Sequence, residues 1–204
     1  HYNCFFIYDE VKSNELITVV DDDTTRIYSD PELAVLNITK VKSEVDSILT
    51  NINNIFSTYI HTSEISRLNS SHFIKLSPEF SKVYRKAAEY YYLSNGIYDI
   101  TISPLIELWG FNDYNPTNFP LDDDIKKTLE YVGFDKIDSS LQMDAFHKDL
   151  ELSNLTVDSL KISKNKNIKI DLNSIAKGYA VDVLTDYLET YYWQFEFLIE
   201  IGIE

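Results

Sequence analysis

One segment constrains this chain more than any other: Lys169-Ile170-Asp171-Leu172-Asn173-Ser174-Ile175-Ala176-Lys177-Gly178-Tyr179-Ala180-Val181-Asp182. Its first residues alternate as a strand does. From Ser174 onward Ala176, Ala180, Val183, Leu184, Tyr187 and Leu188 recur at the steps of one helix face. A strand that ends at Asp171 and a helix that starts within three residues turn unpaired backbone N–H groups and the positive dipole end outward together. Such a corner suits an anion such as a pyrophosphate. Lys177, expected in the first helical turn, opposes the dipole preference, and a bound anion explains it better than helix stability does. Gly178 costs about 1 kcal/mol relative to Ala inside a helix, so another backbone or a ligand is expected to come close there. An ordinary capped connection with a surface lysine fits the same residues equally well.

The rest of the chain mixes both periods. Cys4–Tyr8 and Leu16–Val20 are short β-rich runs, and Thr24–Tyr28 is compatible with a third strand. Asp21-Asp22-Asp23 lacks the ligand spacing of a calcium loop and is read as a solvated turn. From Thr39, Val41, Val45, Ile48, Leu49, Ile52, Ile55 and Phe56 trace an amphipathic helix. Ser77-Pro78-Glu79 supplies a cap, a proline at the first helical position and an acid in the first turn. That helix should reach about Leu93, bury Phe80, Val83, Tyr84, Ala87, Ala88 and Tyr91, and stop at Asn95-Gly96. Tyr98–Ile102 alternates with β-branched residues and predicts a strand, and Ser103-Pro104 caps a short helix through Trp109, ended by Gly110. A helix near Asp122–Val132 should turn Ile125, Leu129 and Val132 inward. Val157–Ile162 and Asn167–Leu172 are expected to pair as a hairpin around Ser163–Lys166, and Phe195–Ile201 forms a last strand. Strands first and mixed elements afterwards predict an α+β fold, a single domain over residues 1–204.

Composition narrows the function classes. With 33 Asp+Glu against 18 Lys+Arg, the net charge is −15 and no basic stripe exists, which argues against a nucleic-acid partner. A content of 44% apolar residues excludes a disordered chain. The lone Cys4 makes no internal disulfide, no Cys/His cluster has zinc spacing, and no run approaches the ~20 apolar residues of a membrane helix. Glycine is scarce, five in the chain, so each position is informative: Gly96, Gly110, Gly133, Gly178 and Gly202.

Two more segments stand out. Ser57-Thr58-Tyr59 precedes Ser63-Glu64-Ile65-Ser66-Arg67-Leu68-Asn69, in which Arg67 could pair with surface acids and Asn69 could cap a turn. In Gly96–Leu105, continuing to Phe111, Asp99 either accepts hydrogen bonds from a ligand or caps a turn. Trp109 and Phe111 read as core aromatics rather than a cofactor box.

In this order and at these intervals, "SEISRLN", "YDITISPLIELWGF" and "DLNSIAKGYAVD" resemble the ApbE family, the FAD:protein FMN transferases, from about Val41 to Glu204. The resemblance implies an ApbE-like, T-fold-related mixed sheet with packed helices, FAD lying between a main lobe and a smaller helical portion. It implies that Tyr59 lies against the flavin, that Ile97, Tyr98, Asp99, Asp171 and Lys177 contact FAD, and that Ser174 gives Mg²⁺ a main-chain carbonyl. The family's other magnesium ligands, an Asp and a Thr, belong to a later segment, so the domain is expected to be C-terminally incomplete. The implied reaction moves FMN from FAD to a Thr or Ser hydroxyl of an acceptor protein and releases AMP. The implied acceptor is a subunit of a membrane redox complex, and the implied location is the bacterial periplasm or cell envelope. A homologue that binds or hydrolyses FAD without transfer is the alternative. The chain departs from the family pattern at Asn112, at Asn173-Ser174 and at Ile203.

Overall fold

The computed structural model describes residues 2–7, 16–20, 38–110, 119–139, 160–193 and 196–201. In chain order the elements are β1 (Tyr2–Ile7), β2 (Leu16–Val20), α1 (Ile38–Phe56), α2 (Glu64–Ser70), β3 (Phe73–Lys75) and α3 (Pro78–Leu93). There follow α4 (Ser103–Leu108), α5 (Asp122–Leu129), β4 (Asp138–Ser139), β5 (Lys161–Ser163), α6 (Asn173–Tyr191) and β6 (Glu196–Ile201). Short 3-10 turns occupy Ile100–Ile102 and Phe134–Lys136. The architecture is α+β. The chain clusters into two compact units, residues 1–52 with 176–204, and residues 53–175.

In the first unit β1 is the centre of an antiparallel sheet ordered β2-β1-β6, with Cys4 opposite Val19 on one side and Ile199 on the other. The helical stripe predicted from Thr39 is used as expected: Val41 and Val45 of α1 pack with Leu184 and Leu188 of α6, and Phe197, Ile199 and Ile201 close against them. Two tyrosines of this unit, Tyr187 and Tyr192, direct their hydroxyls at the Glu44 carboxylate. No described helix is long and apolar enough to cross a membrane.

The second unit is built on α3, which begins as predicted. Ser77 Oγ accepts from Phe80 N at 3.1 Å, and the buried Glu64 carboxylate takes the Ser77 amide at 2.6 Å. Phe80, Val83, Tyr84, Ala87 and Ala88 are buried, while Tyr91 is only half-buried, its ring stacked on Phe134 at 5.1 Å. Asn95 and Gly96 take the left-handed conformation that ends the helix. A second sheet, ordered β3-β5-β4, is antiparallel, with Ile162 between Ile74 and Ser139.

Several expectations need correction. Tyr98–Ile102 is not a strand: Asp99 Oδ1 accepts from both Thr101 N (2.8 Å) and Thr101 Oγ1 (2.7 Å), and this local cap curls Ile100–Ile102 into a 3-10 turn. That turn runs straight into α4, so Ser103 is the first helical residue and gives no side-chain cap. Within the described residues 160–172 no hairpin forms: β5 pairs with β3 and β4, and Ile168–Leu172 has no ladder partner among the described residues. Finally α5 ends at Leu129, which is exposed rather than inward. Asp21–Asp23, Thr24–Tyr28, Phe111, Asn112, Val157, Gly202 and Ile203 lie outside the described residues.

Candidate functional site

The extended run Ile168–Leu172 keeps the alternation that suggested a strand, with Ile168, Ile170 and Leu172 buried. What holds it is a set of long-range single contacts. The Asn69 side chain meets the Ile170 backbone twice, Nδ2 donating to Ile170 O at 2.9 Å and Oδ1 accepting from Ile170 N at 2.7 Å. One residue on, Asp171 N donates to Ile100 O at 2.8 Å. Lys169 forms an ion pair with Glu107 of α4 at 2.6 Å, and Lys164 Nζ donates to Ile168 O at 2.7 Å. Thus three stretches that are remote in sequence, around Asn69, around Ile100 and at residues 168–174, converge in one unit.

The helix start follows directly. Asp171 Oδ1 accepts from Asn173 N at 2.7 Å and Oδ2 from Asn173 Nδ2 at 3.2 Å, an Asx-type turn that launches α6. Asn173 and Ser174 are exposed; the Asn173 and Ile175 N–H groups are taken by Asp171 Oδ1 and Leu172 O, which leaves the Ser174 N–H at the helix start, near the Tyr98 hydroxyl that lies 3.0 Å from Ser174 Oγ. Burial pushes the Tyr98 hydroxyl above the usual tyrosine range, against a smaller opposing effect of its Ser174 hydrogen bond. It is therefore protonated at neutral pH and able to donate. Tyr90 packs edge-on against the Tyr98 ring at 5.8 Å.

The other predicted residues distribute as follows. Ile97, next to Tyr98, is 90% exposed, and Tyr59 is 80% exposed. The Tyr59 turn is fixed by α2: Ser63, its N-cap, donates from Oγ to Ser57 O at 2.7 Å, while Tyr59 N donates to Ser57 Oγ. Asp99 serves the turn-capping role, since beyond Thr101 its second oxygen accepts from Phe134 N at 3.1 Å. Lys177 is the fifth residue of α6, one turn beyond the first, and its side chain is exposed with no ion pair among the described residues. Gly178 has no close neighbour: a Cβ placed there would meet nothing within 4 Å. The close approach expected from the protein's own backbone is absent among the described residues.

Asn69 was legible only as a turn cap. Nothing in its local pattern signals a partner 101 residues away.

The comparison with known families decides the lineage. The family model described as "ApbE family" matches residues 17–204. This chain belongs to the ApbE family. Among curated ApbE relatives, the FAD:protein FMN transferase of Haemophilus influenzae is 31% identical over 172 residues, covering 81% of this chain and 45% of its own length. That of Vibrio cholerae serotype O1 is 30% identical over 169 residues, covering 80% and 45%. The solved flavin transferase ApbE from Vibrio cholerae superposes with a TM-score of 0.67 at 25% identity, over 98% of this chain and 53% of that one. The flavinyl transferase ApbE of Pseudomonas stutzeri, in its apo form, gives 0.64 at 25% identity, over 80% and 50%. The chain spans about half the length of these relatives.

An ApbE site for magnesium is not complete among the described residues. No group of three or more His, Cys, Asp or Glu is placed to hold a metal. Ser174 sits in the first turn of α6, where the helical pattern directs its carbonyl at the N–H four residues on. The described residues alone do not supply a magnesium centre.

Proposed function

We propose that the protein containing this chain takes FAD as substrate and transfers its FMN moiety to a Thr or Ser hydroxyl of an acceptor protein. The observation that carries this is the convergence of the Asn69, Tyr98–Ile100 and Ile170–Ser174 segments on one exposed helix start, in a chain whose relatives are FAD:protein FMN transferases. The acceptor hydroxyl oxygen would attack the FMN-side phosphorus, the P–O–P bridge would break, AMP would leave, and the hydroxyl proton would pass to solvent or a base. Little covalent help is required for such a step; position and charge compensation dominate.

Each residue has a place in that scheme. The Ser174 N–H at the start of α6 and the Lys177 ammonium would receive the pyrophosphate, and the protonated Tyr98 hydroxyl would donate beside them. Exposed Tyr59 and Ile97 would offer apolar surface to the isoalloxazine ring. Asp99 and Asp171 would act through the backbone they fix. Magnesium enters as an expectation to be measured, namely that EDTA stops AMP release. A membrane redox-complex subunit as acceptor, and the bacterial periplasm or cell envelope as location, belong to the same proposal and follow from the family resemblance.

The test is direct. The protein is incubated with FAD, Mg²⁺ and a candidate acceptor, and covalent flavin is read by in-gel fluorescence and AMP by chromatography. Flavin on the acceptor in equal amount to AMP supports transfer. FAD bound with no AMP formed, under conditions where a full-length relative is active, overturns it. The second reading is a homologue that binds FAD, or hydrolyses it slowly to FMN and AMP, without transfer; AMP formed with no flavin on the acceptor would mark it.

A further inference from the structure

Asn69 pairs with the backbone of Ile170 as a neighbouring strand would. Residues 168–172 are alternately buried, yet no ladder neighbour among the described residues supports them. One side-chain amide supplies both hydrogen bonds that a neighbouring strand would give to Ile170, at 2.7 and 2.9 Å. A side-chain amide carries a donor and an acceptor side by side without charge, as this pairing requires. The asparagine is itself anchored, because it lies in α2, whose N-cap Ser63 holds the Ser57–Tyr59 turn, and because Lys164 Nζ reaches its carbonyl at 3.4 Å. Immediately after Ile170 come Asp171, whose carboxylate launches α6, and Ser174, which meets Tyr98.

We propose that Asn69 is a positioning residue for the phosphate-binding corner: its paired contact with Ile170 sets the Asp171–Ser174 helix start against Tyr98 and so fixes where the FAD pyrophosphate is received. The pyrophosphate role rests on the function proposed above; the positioning role does not. Among the described residues this side-chain pairing stands where a ladder would, so the geometry of the corner leans on a residue that would touch no ligand.

The experiment compares N69A with the wild type and with S81A on the full chain, at a temperature where all three are folded. Ser81 Oγ accepts from Leu160 N at 2.9 Å in the buried interior of the same unit, so S81A controls for simple loss of stability. Amide exchange is read at Asp171 and Ile175, whose N–H groups donate to Ile100 O and Leu172 O, and at Tyr84 and Ala87 within α3. N69A is expected to raise exchange at Asp171 and Ile175 at least tenfold with little change in α3, and S81A to leave Asp171 and Ile175 protected. In parallel, N69A should weaken binding of FAD and ADP about tenfold and of riboflavin, which carries no phosphate, less than twofold. Unchanged exchange at Asp171 and Ile175 overturns the positioning role. Raised exchange with unchanged FAD and ADP affinity overturns its link to the phosphate corner. A wild type that binds no FAD refutes the proposed function, while the exchange data still decide the role of Asn69.

Discussion

Two glycines show how far a residue's identity and its structural need can part. Gly178 sits in α6 where a Cβ would meet nothing among the described residues, so none of their packing requires it. G178A is therefore expected to stabilise the chain by about 1 kcal/mol through helix propensity and to weaken FAD binding, because a ligand is the remaining use for the open space. Calorimetry of folding and titration with FAD check both halves, and unchanged affinity would remove the ligand role. Gly133, which no recognised motif contains, is the demanding one. Its φ is +142°, and a Cβ would lie 2.7 Å from Asp135 Oδ1 and 3.1 Å from Lys136 Cε. Lys136 there closes the end of α5 by donating to Leu129 O, Glu130 O and Val132 O. G133A should cost about 1–3 kcal/mol in urea unfolding. For Lys177, exposed at the start of the second turn of α6, K177A is expected to leave stability within about 0.5 kcal/mol and to weaken FAD binding markedly. Equal affinity would end its assignment to the pyrophosphate.

At the scale of elements, periodicity and caps carried the reading where stabilisation is local. α1, α3 and α6 were legible because a long apolar stripe, a Ser-Pro-Glu start and an Asn-Gly stop each act within a few residues. The strand expected at Tyr98–Ile102 failed because one carboxylate outcompeted β propensity: Asp99 engages Thr101 N, Thr101 Oγ1 and Phe134 N together. The hairpin failed for a related reason. Residues 165–168 close a tight turn, with Asn167 N on Asn165 Oδ1 and Ile168 N on Asn165 O, and the chain then finds Asn69 instead of β5. Of the site, the helix start and Tyr98 were visible in sequence, whereas the long-range contacts of Asn69, of Lys164 with Asn69 and of Lys169 with Glu107 were not, since partners 62 to 101 residues apart leave no local pattern. D99A tests the element directly. It strands the Thr101 and Phe134 amides, at about 1–3 kcal/mol for each buried group left unpaired, and should lower the unfolding midpoint while loosening the Ile97–Tyr98 segment. A midpoint equal to wild type would show that the 3-10 turn does not depend on its cap.

For the molecule as a whole, pH is the variable that separates buried bases from buried acids. Lys164 is only 5% exposed and faces two carbonyls rather than a carboxylate. Burial first, and the charge of Lys169 second, lower its ammonium to about 8, against about 10.4 in an unfolded chain. Between those values the unfolded chain binds a proton that the native chain does not, so stability rises with pH across the window. Buried Tyr84 and the half-buried Tyr98 and Tyr187 act in the opposite sense. Burial raises Tyr84 and Tyr187 well above the usual range, and Tyr98 upward as well. Above about pH 10 the unfolded chain therefore loses phenolic protons that the native chain keeps, and stability falls. Growing negative self-repulsion overlays both effects in a chain of net charge −15, so the informative quantity is a difference. In K164M the apolar side chain has no proton to bind in either state, while the tyrosines and nearly all of the surface charge are kept. Urea unfolding at pH 7.5, 8.5 and 9.5 should show the wild type gaining on K164M at each step, and parallel curves would mean that Lys164 titrates as an ordinary surface lysine.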